Sequence, residues 1–458
     1  MKKTITKLFS TALLIAITLT GLAVNAQTTS LVDANAPVAK TNTTQAATTQ
    51  AEAKAETKAA ADTKAEAKAP VKAAEDTSFK PVRRLWGYAF GDLYYKSHGD
   101  ALNRGGSNQY TGIAQNRNGF QMRRIYLGYD YDINKKFSAE VLLAAEDNET
   151  SSIINGSTST TTGDLLADNK LTFYIKLMNL RIHDLWKGTD LVIGQVSTPA
   201  FPLLSEKVWG YRSIERTVAD IRRTPSFDLG ATLQGSFDPA TKNFGYDVMV
   251  GNGTSAKPET DIYKWFYGDI WAKFFDKKLV FDLYADYEQL SPNVGATPMV
   301  SRNMLKGYIA YTTPEFTFGV EAFTNKLKNG AAVTNASVVH FEDQTAQAIS
   351  LYAHGRLIKD PNSKGDLLGF FARFDTYNPD TKFNLNNGTY KGQVGNYDPN
   401  TKEQFITAGL DYQPTKNIHF MPNIWYNSYK SQNTTLTGTA LKDHDVVYRA
   451  TFYFTFGK

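Results

Sequence analysis

The chain has no cysteine, which excludes disulfide bonds and thiolate metal sites. It also lacks a strong excess of charge of either sign, because its formal net charge over 458 residues is only +5. Proteins that bind nucleic acid usually present a far more basic surface. We therefore expect no nucleic-acid partner.

No catalytic signature is present in the sequence. It has no Gly-x-Ser-x-Gly elbow, no phosphate-binding glycine-rich loop, no His-Glu-x-x-His motif and no calcium-loop pattern. We interpret the dispersed histidines as solvated or lumenal side chains: His98, His183, His340, His354, His419 and His444. We predict a protein that is not an enzyme and has no metal or cofactor. A hydrolase is a rival only if the fold pairs a serine with a histidine on adjacent strand ends.

Long apolar runs are also scarce, and the only pronounced one is N-terminal. Three lysines within the first seven residues precede the apolar segment 8–22, and the small residues Val24 and Ala26 follow it. This pattern predicts a signal peptide over 1–26, with cleavage after Ala26. An uncleaved anchor is the alternative, although spanning a membrane needs roughly 18 apolar residues. Any further membrane insertion would require a closed barrel, which satisfies every backbone polar group in lipid.

Residues 27–80 have a distinct composition, rich in Ala, Thr, Lys and Glu. No aromatic residue occurs over 27–78, so this segment has little with which to build a core. Ala, Glu and Lys favour helix, and some helical character is compatible with this composition. We predict a periplasmic spacer that is disordered or partly helical. The alternative is a tether to peptidoglycan or to a periplasmic partner.

Residues 81–458 alternate between apolar and polar side chains in short segments. In the last segment, Tyr448 and Phe456 share one face of a strand, whereas Arg449 and Thr451 share the other. The polar faces carry full charges, while the apolar faces contain mainly aromatic and aliphatic residues. This division suits lipid outside and water inside. The pattern predicts an all-β protein, a transmembrane antiparallel β-barrel.

Two kinds of connection alternate along this domain. Seven are short and contain turn residues: 133–136, 187–190, 238–243, 276–278, 313–315, 359–366 and 414–417. Eight are longer: 98–118, 149–169, 198–225, 254–262, 290–302, 326–345, 379–403 and 430–443. Their strict alternation predicts about sixteen strands, with both ends of the barrel domain on the short-turn, periplasmic side.

Two features refine this barrel. Pro422 falls inside a predicted strand at 417–429 and removes a ladder hydrogen bond, so we expect a bulge or a shifted register there. Aromatic residues cluster beside the short turns, as in a membrane-interface girdle: Tyr129, Tyr131, Trp186, Phe274, Phe275, Tyr311, Phe316, Tyr412, Phe454 and Phe456.

The same alternation predicts which charges face the lumen. The basic ones are Arg124, Lys176, Lys273, Lys306, Arg356, Arg373 and Arg449. The acidic ones are Asp130, Glu140, Asp282, Asp286, Glu321, Asp375 and Asp411. Equal numbers of the two signs indicate a wet pore of mixed charge, and they do not by themselves select anions.

The third long loop, 198–225, differs from the others because it is rich in large apolar residues such as Trp209 and Ile214. We expect it to fold inward, pack on the lumen wall and narrow the pore. Its candidate constriction residues are Glu206, Lys207, Arg212, Glu215, Arg216, Asp220, Arg222 and Arg223. Rings of Arg and Lys favour anions. The alternative is that Arg216 and Arg223 pair with the loop's own carboxylates.

Five segments carry a resemblance to a known family: Arg123-Arg124-Ile125-Tyr126-Leu127-Gly128, Gly194-Gln195-Val196-Ser197-Thr198-Pro199-Ala200-Phe201, Ile214-Glu215-Arg216, Pro225-Ser226-Phe227-Asp228-Leu229-Gly230 and Gly251-Asn252-Gly253. In this order, over about 84–275, the chain resembles the phosphate- and pyrophosphate-selective porins, the O/P porin family. The resemblance implies a sixteen-strand barrel, often trimeric, with an inward third loop and a preference for anions.

Together these features favour an outer-membrane porin, a channel for passive diffusion of small hydrophilic solutes with a preference for anions. Its expected partners are outer-membrane lipid, the solutes and, in a homotrimer, further copies of the chain. The alternative is a structural barrel, tethered to peptidoglycan or a periplasmic partner through residues 27–80.

Overall fold

The computed structural model describes residues 79–105, 108–111, 113–146, 150–154, 157–161, 172–222, 224–290, 299–360, 366–391 and 401–457. The predicted signal peptide and all but the last two residues of the predicted spacer lie outside these ranges. No helix in the described ranges is long and apolar enough to cross a membrane.

Sixteen antiparallel strands form one closed β-barrel, which confirms the predicted fold. Each strand pairs with its neighbours in sequence, and β1 pairs with the last strand as well as with β2, which closes the sheet. The barrel strands are β1 (Arg83–His98), β2 (Asn118–Asp132), β3 (Phe137–Glu146), β6 (Tyr174–Trp186), β7 (Thr189–Ser197), β8 (Phe227–Ser236), β9 (Phe244–Gly251), β10 (Trp265–Phe274), β11 (Leu279–Leu290), β12 (Val300–Thr312), β13 (Phe316–Asn335), β14 (Val338–Lys359), β15 (Asp366–Asn378), β17 (Thr401–Thr415), β18 (Ile418–Ser431) and β19 (Lys442–Phe456).

The smaller elements belong to the long connections. β4 (Thr150–Ile154) and β5 (Ser157–Thr161) form a separate hairpin. Helices α1 (Ser205–Trp209) and α2 (Val218–Ile221) belong to the third long loop, and α3 (Gly438–Leu441) precedes β19. A 3-10 turn (Leu385–Asn387) precedes β16 (Thr389–Lys391), which pairs with β13.

The prediction of a long loop at 326–345 is wrong. Strands β13 and β14 continue through it and meet at a tight turn, where Ala336 and Ser337 both have positive φ. Two consecutive residues in this conformation suit the right-handed twist of a hairpin. The predicted loop at 149–169 is likewise wrong in part, because it contains the β4–β5 hairpin.

The irregularity expected in the strand of Pro422 occurs beside the proline and not at it. Pro422 pairs with Ala450 of β19 in an unbroken register. On the other side, β17 and β18 keep one register from Gly409 to Tyr412, and the register then shifts between Tyr412 and Thr415. The irregularity thus lies on the β17 side of β18, two to four residues from the proline, while the pairing with β19 is continuous.

Large apolar side chains cover the outside of the barrel. Of the ten aromatic residues expected to form a girdle beside the short turns, nine are exposed: Tyr129, Trp186, Phe274, Phe275, Tyr311, Phe316, Tyr412, Phe454 and Phe456. The lumen side instead carries buried polar groups, such as Lys306 and Asp282, together with aromatic residues that face the third loop. This arrangement is the inverse of a soluble barrel and suits lipid contact on the outer face.

Candidate pore constriction

The third long loop folds into the barrel, as its apolar composition predicts. Phe201, Val218 and Ala219 are buried in a cluster with inward side chains of β7 and of every strand from β9 to β15. Trp209 and Ile214 enter a second cluster, formed with inward residues of β11, β12, β14, β15 and β18. The Trp209 ring meets the Tyr352 ring at 4.9 Å between centroids. One side of the loop is therefore buried against the lumen wall.

Hydrogen bonds fix this packed side to the wall. The indole Nε1 of Trp425 donates to Glu215 Oε2 at 2.9 Å, and Tyr211 donates to Asp411 at 3.1 Å. The backbone N–H of Ala219 donates to Glu321 at 3.2 Å. Because these groups are buried, each would be costly to leave unpaired. The loop is thus held in one position across the lumen.

Two predicted constriction residues, Glu215 and Arg222, serve as anchors on the buried side. Arg222 pairs with Glu403 of β17 at 2.6 Å and lies over the Tyr377 ring. Burial raises the pKa of the Glu215 carboxyl, but the charge of Arg216 and the hydrogen bond from Trp425 outweigh this and lower it. Both residues are therefore charged, and neighbouring groups balance each charge: Glu403 for Arg222, and Arg216 with the Trp425 indole for Glu215. Arg223 lies outside the described residues.

The other predicted constriction residues form the partly solvated side of the loop. Arg212 pairs with Glu206 and, at 2.7 Å, with Asp220, while Arg216 lies 3.6 Å from Asp220. Burial raises the pKa of Asp220, but Arg212 and Arg216 outweigh this effect and lower it. Lys207 is exposed and forms no ion pair within the described part of the chain. Arg212 and Arg216 thus pair with the loop's own carboxylates.

Facing this side of the loop is a charged cluster on β2, β3 and β6. Glu146 accepts from Lys176 at 2.6 Å and lies 3.2 Å from Arg124. Arg124 and Lys176 lie close enough to interact electrostatically with Asp220. Cations and carboxylates therefore alternate from the loop to this wall.

Local bulges place these wall residues, and the sequence pattern did not reveal them. The β1–β2 register shifts where Phe90 pairs with Arg124 but Gly91 pairs with Met122, which leaves Arg123 as an extra residue. Arg123 and Arg124 are consequently both buried, although a regular strand would send them to opposite faces. Arg123 donates to Asp92 at 3.1 Å and to the backbone carbonyl of Ser213 in the third loop.

The remaining predicted lumen-lining bases are distributed along the wall. Lys306 pairs with Asp282 at 2.8 Å, and Arg373 pairs with Asp375 at 2.5 Å. The structure places the others as follows: Arg449 donates to Asn423 at 2.7 Å, Lys273 lies over the Trp271 ring, and Arg356 pairs with Glu315 and Asp366 beside a short turn. Most of these bases are neutralised locally, so the field in the pore depends on the few that stay solvated.

The first long loop also enters the barrel, which the sequence did not predict. Tyr110 is fully buried, donates to Asp92 at 2.9 Å and meets the Trp425 ring at 5.4 Å. Lys96, also buried, donates to the Tyr110 carbonyl and pairs with Asp445 at 2.9 Å. Tyr110 and Ile113, which packs against the same cluster, are the residues of this polar loop that signalled the packing.

Two histidines that are distant in sequence meet at the long-loop end. His98 and His444 stack at 4.1 Å between ring centroids, and with Asp443 their ligand atoms lie within 4.8 Å of one another. Asp443 accepts from His98 at 2.8 Å and from the Ala101 backbone N–H at 2.9 Å. These bonds account for the cluster, which could hold a metal ion but to which we assign none.

A serine and a histidine also meet on adjacent strands, the arrangement that a hydrolase would need. Ser138 Oγ lies 2.9 Å from His183 Nε2, and His183 Nδ1 lies 3.3 Å from Asp190. Asp190 is, however, shared with Arg181 at 3.0 Å and with the Asp184 backbone N–H at 3.0 Å. An acyl-transfer triad needs a carboxylate that orients the histidine. We interpret this group as part of the polar network beside a short turn.

Solved structures with the same fold include two outer-membrane channels. The anion-selective porin from Comamonas acidovorans is 11% identical, with a TM-score of 0.51 over 82% of this chain and 100% of that chain. The outer membrane channel DcaP of Acinetobacter baumannii is 9% identical, with a TM-score of 0.53 over 82% of this chain and 97% of that one. At such identities the similarity shows the fold alone. No family model and no curated protein sequence matches the chain.

Proposed function

We propose that the chain is an outer-membrane porin through which small hydrophilic solutes diffuse passively. The observation that carries this proposal is the third loop, one side of which packs in the lumen while the other keeps charged groups in contact with water. A structural barrel has no need of such a solvated charged surface. The apolar outer face and its exposed aromatic residues support a place in the outer membrane.

The solute path in this proposal runs between the third loop and the wall of β2, β3 and β6. We define the constriction as Glu206, Lys207, Arg212, Arg216 and Asp220 of the loop with Arg124, Glu146 and Lys176 of the wall. It holds five cations and three carboxylates, so its field is mixed with a small positive excess. Basic rings favour anions in pores. We therefore propose a weak preference for anions, and not the strong selection of a dense basic cluster.

The reversal potential across a planar bilayer under a KCl gradient tests this proposal. The full-length protein should give a potential of the sign expected for anion preference. Lys207→Gln combined with Arg216→Gln should move it toward zero or beyond, because these cations are the most solvated ones. Lys278→Gln, an exposed short-turn lysine, is the control and should leave it unchanged. Cation preference that is identical in all three proteins would refute the anion proposal.

The resemblance to the O/P porin family remains part of the proposal, as do a homotrimer and export through residues 1–26. Arg212 and Arg216 pair within the loop, which gives less support to phosphate specificity than to general diffusion. Residues 27–80 are proposed as a periplasmic spacer, with peptidoglycan as a candidate partner. Co-sedimentation of the full chain with peptidoglycan, lost when 27–78 is deleted, would support that role.

A further inference from the structure

A row of three lysines crosses the outer face of the barrel at its long-loop end. Lys402 pairs directly opposite Lys430, which pairs directly opposite Lys442 on the next strand. All three are exposed, and none forms an ion pair within the described part of the chain. Like charges directly opposite each other on neighbouring strands are destabilising. An anion lying across the row would relieve this repulsion.

These lysines stand at one level relative to the apolar surface. Each is four residues beyond an apolar residue that also faces outward, namely Ile406, Tyr426 and Val446 respectively. Four residues extend about 13 Å along a strand. Once the tilt of the strands is taken into account, this distance places the ammonium groups at the level of lipid headgroups on the long-loop side. Long lysine side chains also reach down toward headgroup phosphates.

The lysine row lies at one end of a groove on the same outer surface. The groove has a volume of about 860 Å³ and runs from β11 across to β19. Its apolar end includes Leu283, Leu305 and Ile349, each about half exposed, and its other end includes the three lysines. Between the two ends lie uncharged polar groups such as Gln347 and Gln404. Charge at one end and apolar surface at the other is the chemistry of an amphiphile.

A glycine leaves the apolar end open. Gly307 lies directly between Leu283 and Ala322 in a cross-strand row, and a Cβ added to it would meet no heavy atom within 4 Å. Larger outward side chains would fill this space in a barrel that needed only a smooth surface. An apolar recess at this position suits an acyl chain, whereas a free inorganic anion would make no use of it.

We propose that this groove binds a phosphate-bearing lipid of the outer leaflet, with its phosphates on Lys402, Lys430 and Lys442 and acyl chain along the Gly307 recess. The two outer lysines are two strands apart, or about 10 Å, so they can hold more than one phosphate. Lipid binding here does not depend on conduction through the lumen. It would fasten the barrel to the surrounding membrane on the side of the long loops.

Native mass spectrometry of the full-length protein in detergent micelles tests the proposal, with diphosphoryl lipid A as the probe. Each lysine near a membrane surface strengthens binding of anionic lipid by roughly fivefold, so Lys402→Gln, Lys430→Gln and Lys442→Gln together should weaken it by roughly 100-fold. Gly307→Trp should also weaken it, because the indole fills the recess. Heat-modifiable gel mobility confirms that each variant is folded.

Matched control variants show whether the position of the lysines and the glycine, and not only a loss of charge or a gain of bulk, determines lipid binding. Lys187→Gln, Lys278→Gln and Lys416→Gln remove three exposed lysines at the short turns, and they should leave lipid binding unchanged. Gly268→Trp adds the same bulk on the same outer face but outside the groove. Equal losses in test and control variants would overturn the proposal.

Three further outcomes would also overturn it. Equal retention of phosphatidylcholine would show that phosphate charge is not selected. Displacement of lipid A by inorganic phosphate at millimolar concentration would reduce the row to a site for free anions. A change of oligomer mass in the groove variants, without any change in bound lipid, would assign the groove to contact with a second copy.

Discussion

Trp209 is the residue on which the position of the constriction loop depends most. It is 1% exposed, its Nε1 donates to the Glu215 carbonyl at 2.9 Å, and Arg373 lies over its ring. Replacing such a tryptophan by alanine costs about 3–5 kcal/mol. If the loop rather than the barrel bears this cost, the equilibrium between a detached and a packed loop shifts toward detachment by roughly 100-fold or more.

Single-channel conductance in planar bilayers measures this shift. We expect Trp209→Ala to give a larger conductance, or frequent excursions to a larger level, because a detached loop widens the lumen. Trp186→Ala is the matched control, since Trp186 is 50% exposed on the outer face beside a short turn and does not contact the loop. Wild-type conductance and noise in both variants would refute the conclusion that this packing sets the pore width.

Three further predictions follow from individual contacts. Lys306→Met leaves Asp282 buried without its cation, so we expect a loss of about 3–5 kcal/mol and a lower midpoint of heat modification in detergent; an unchanged midpoint would contradict the ion pair. Burial raises the pKa of Asp238, but hydrogen bonds from Thr241 and Asn243 together outweigh it and lower this pKa from 3.8 to about 2. The stability that wild type gains over Asp238→Asn should therefore be complete above pH 3.8 and lost as the pH falls through about 2. A gain that persisted in stronger acid would argue against this linkage. Ser138→Ala should not alter hydrolysis of p-nitrophenyl acetate, because Asp190 is already held by Arg181; a drop in the rate would restore the hydrolase hypothesis.

The barrel could be predicted because its determinants are local. Period-two alternation and turn residues act within about ten residues, and both are visible in one sequence. The hairpin at 326–345 escaped the same reasoning, because β13 and β14 extend past the apolar band and carry polar residues such as Lys326 and Asp343 on the outward face. Without an apolar face, a strand has the composition of a loop.

The candidate site could be predicted only in outline. The apolar content of 198–225 indicated an inward loop, but it did not show that Arg222 pairs with Glu403 on a distant strand while Arg212 pairs within the loop. The bulge at Arg123 was equally hidden, since strict alternation assigns Arg123 and Arg124 to opposite faces. Tertiary pairing decides which arginine is neutralised, and pairing of this kind leaves no periodic trace in the sequence.

In the proposed function, water and ions pass between the third loop and the wall of β2, β3 and β6. The most direct measurement is the conductance of the full-length protein after its insertion into a planar lipid bilayer. We expect discrete, ohmic current steps, with a reversal potential that shifts when Lys207 and Arg216 are neutralised. A correctly folded barrel that inserts but gives no current steps at any voltage would contradict it.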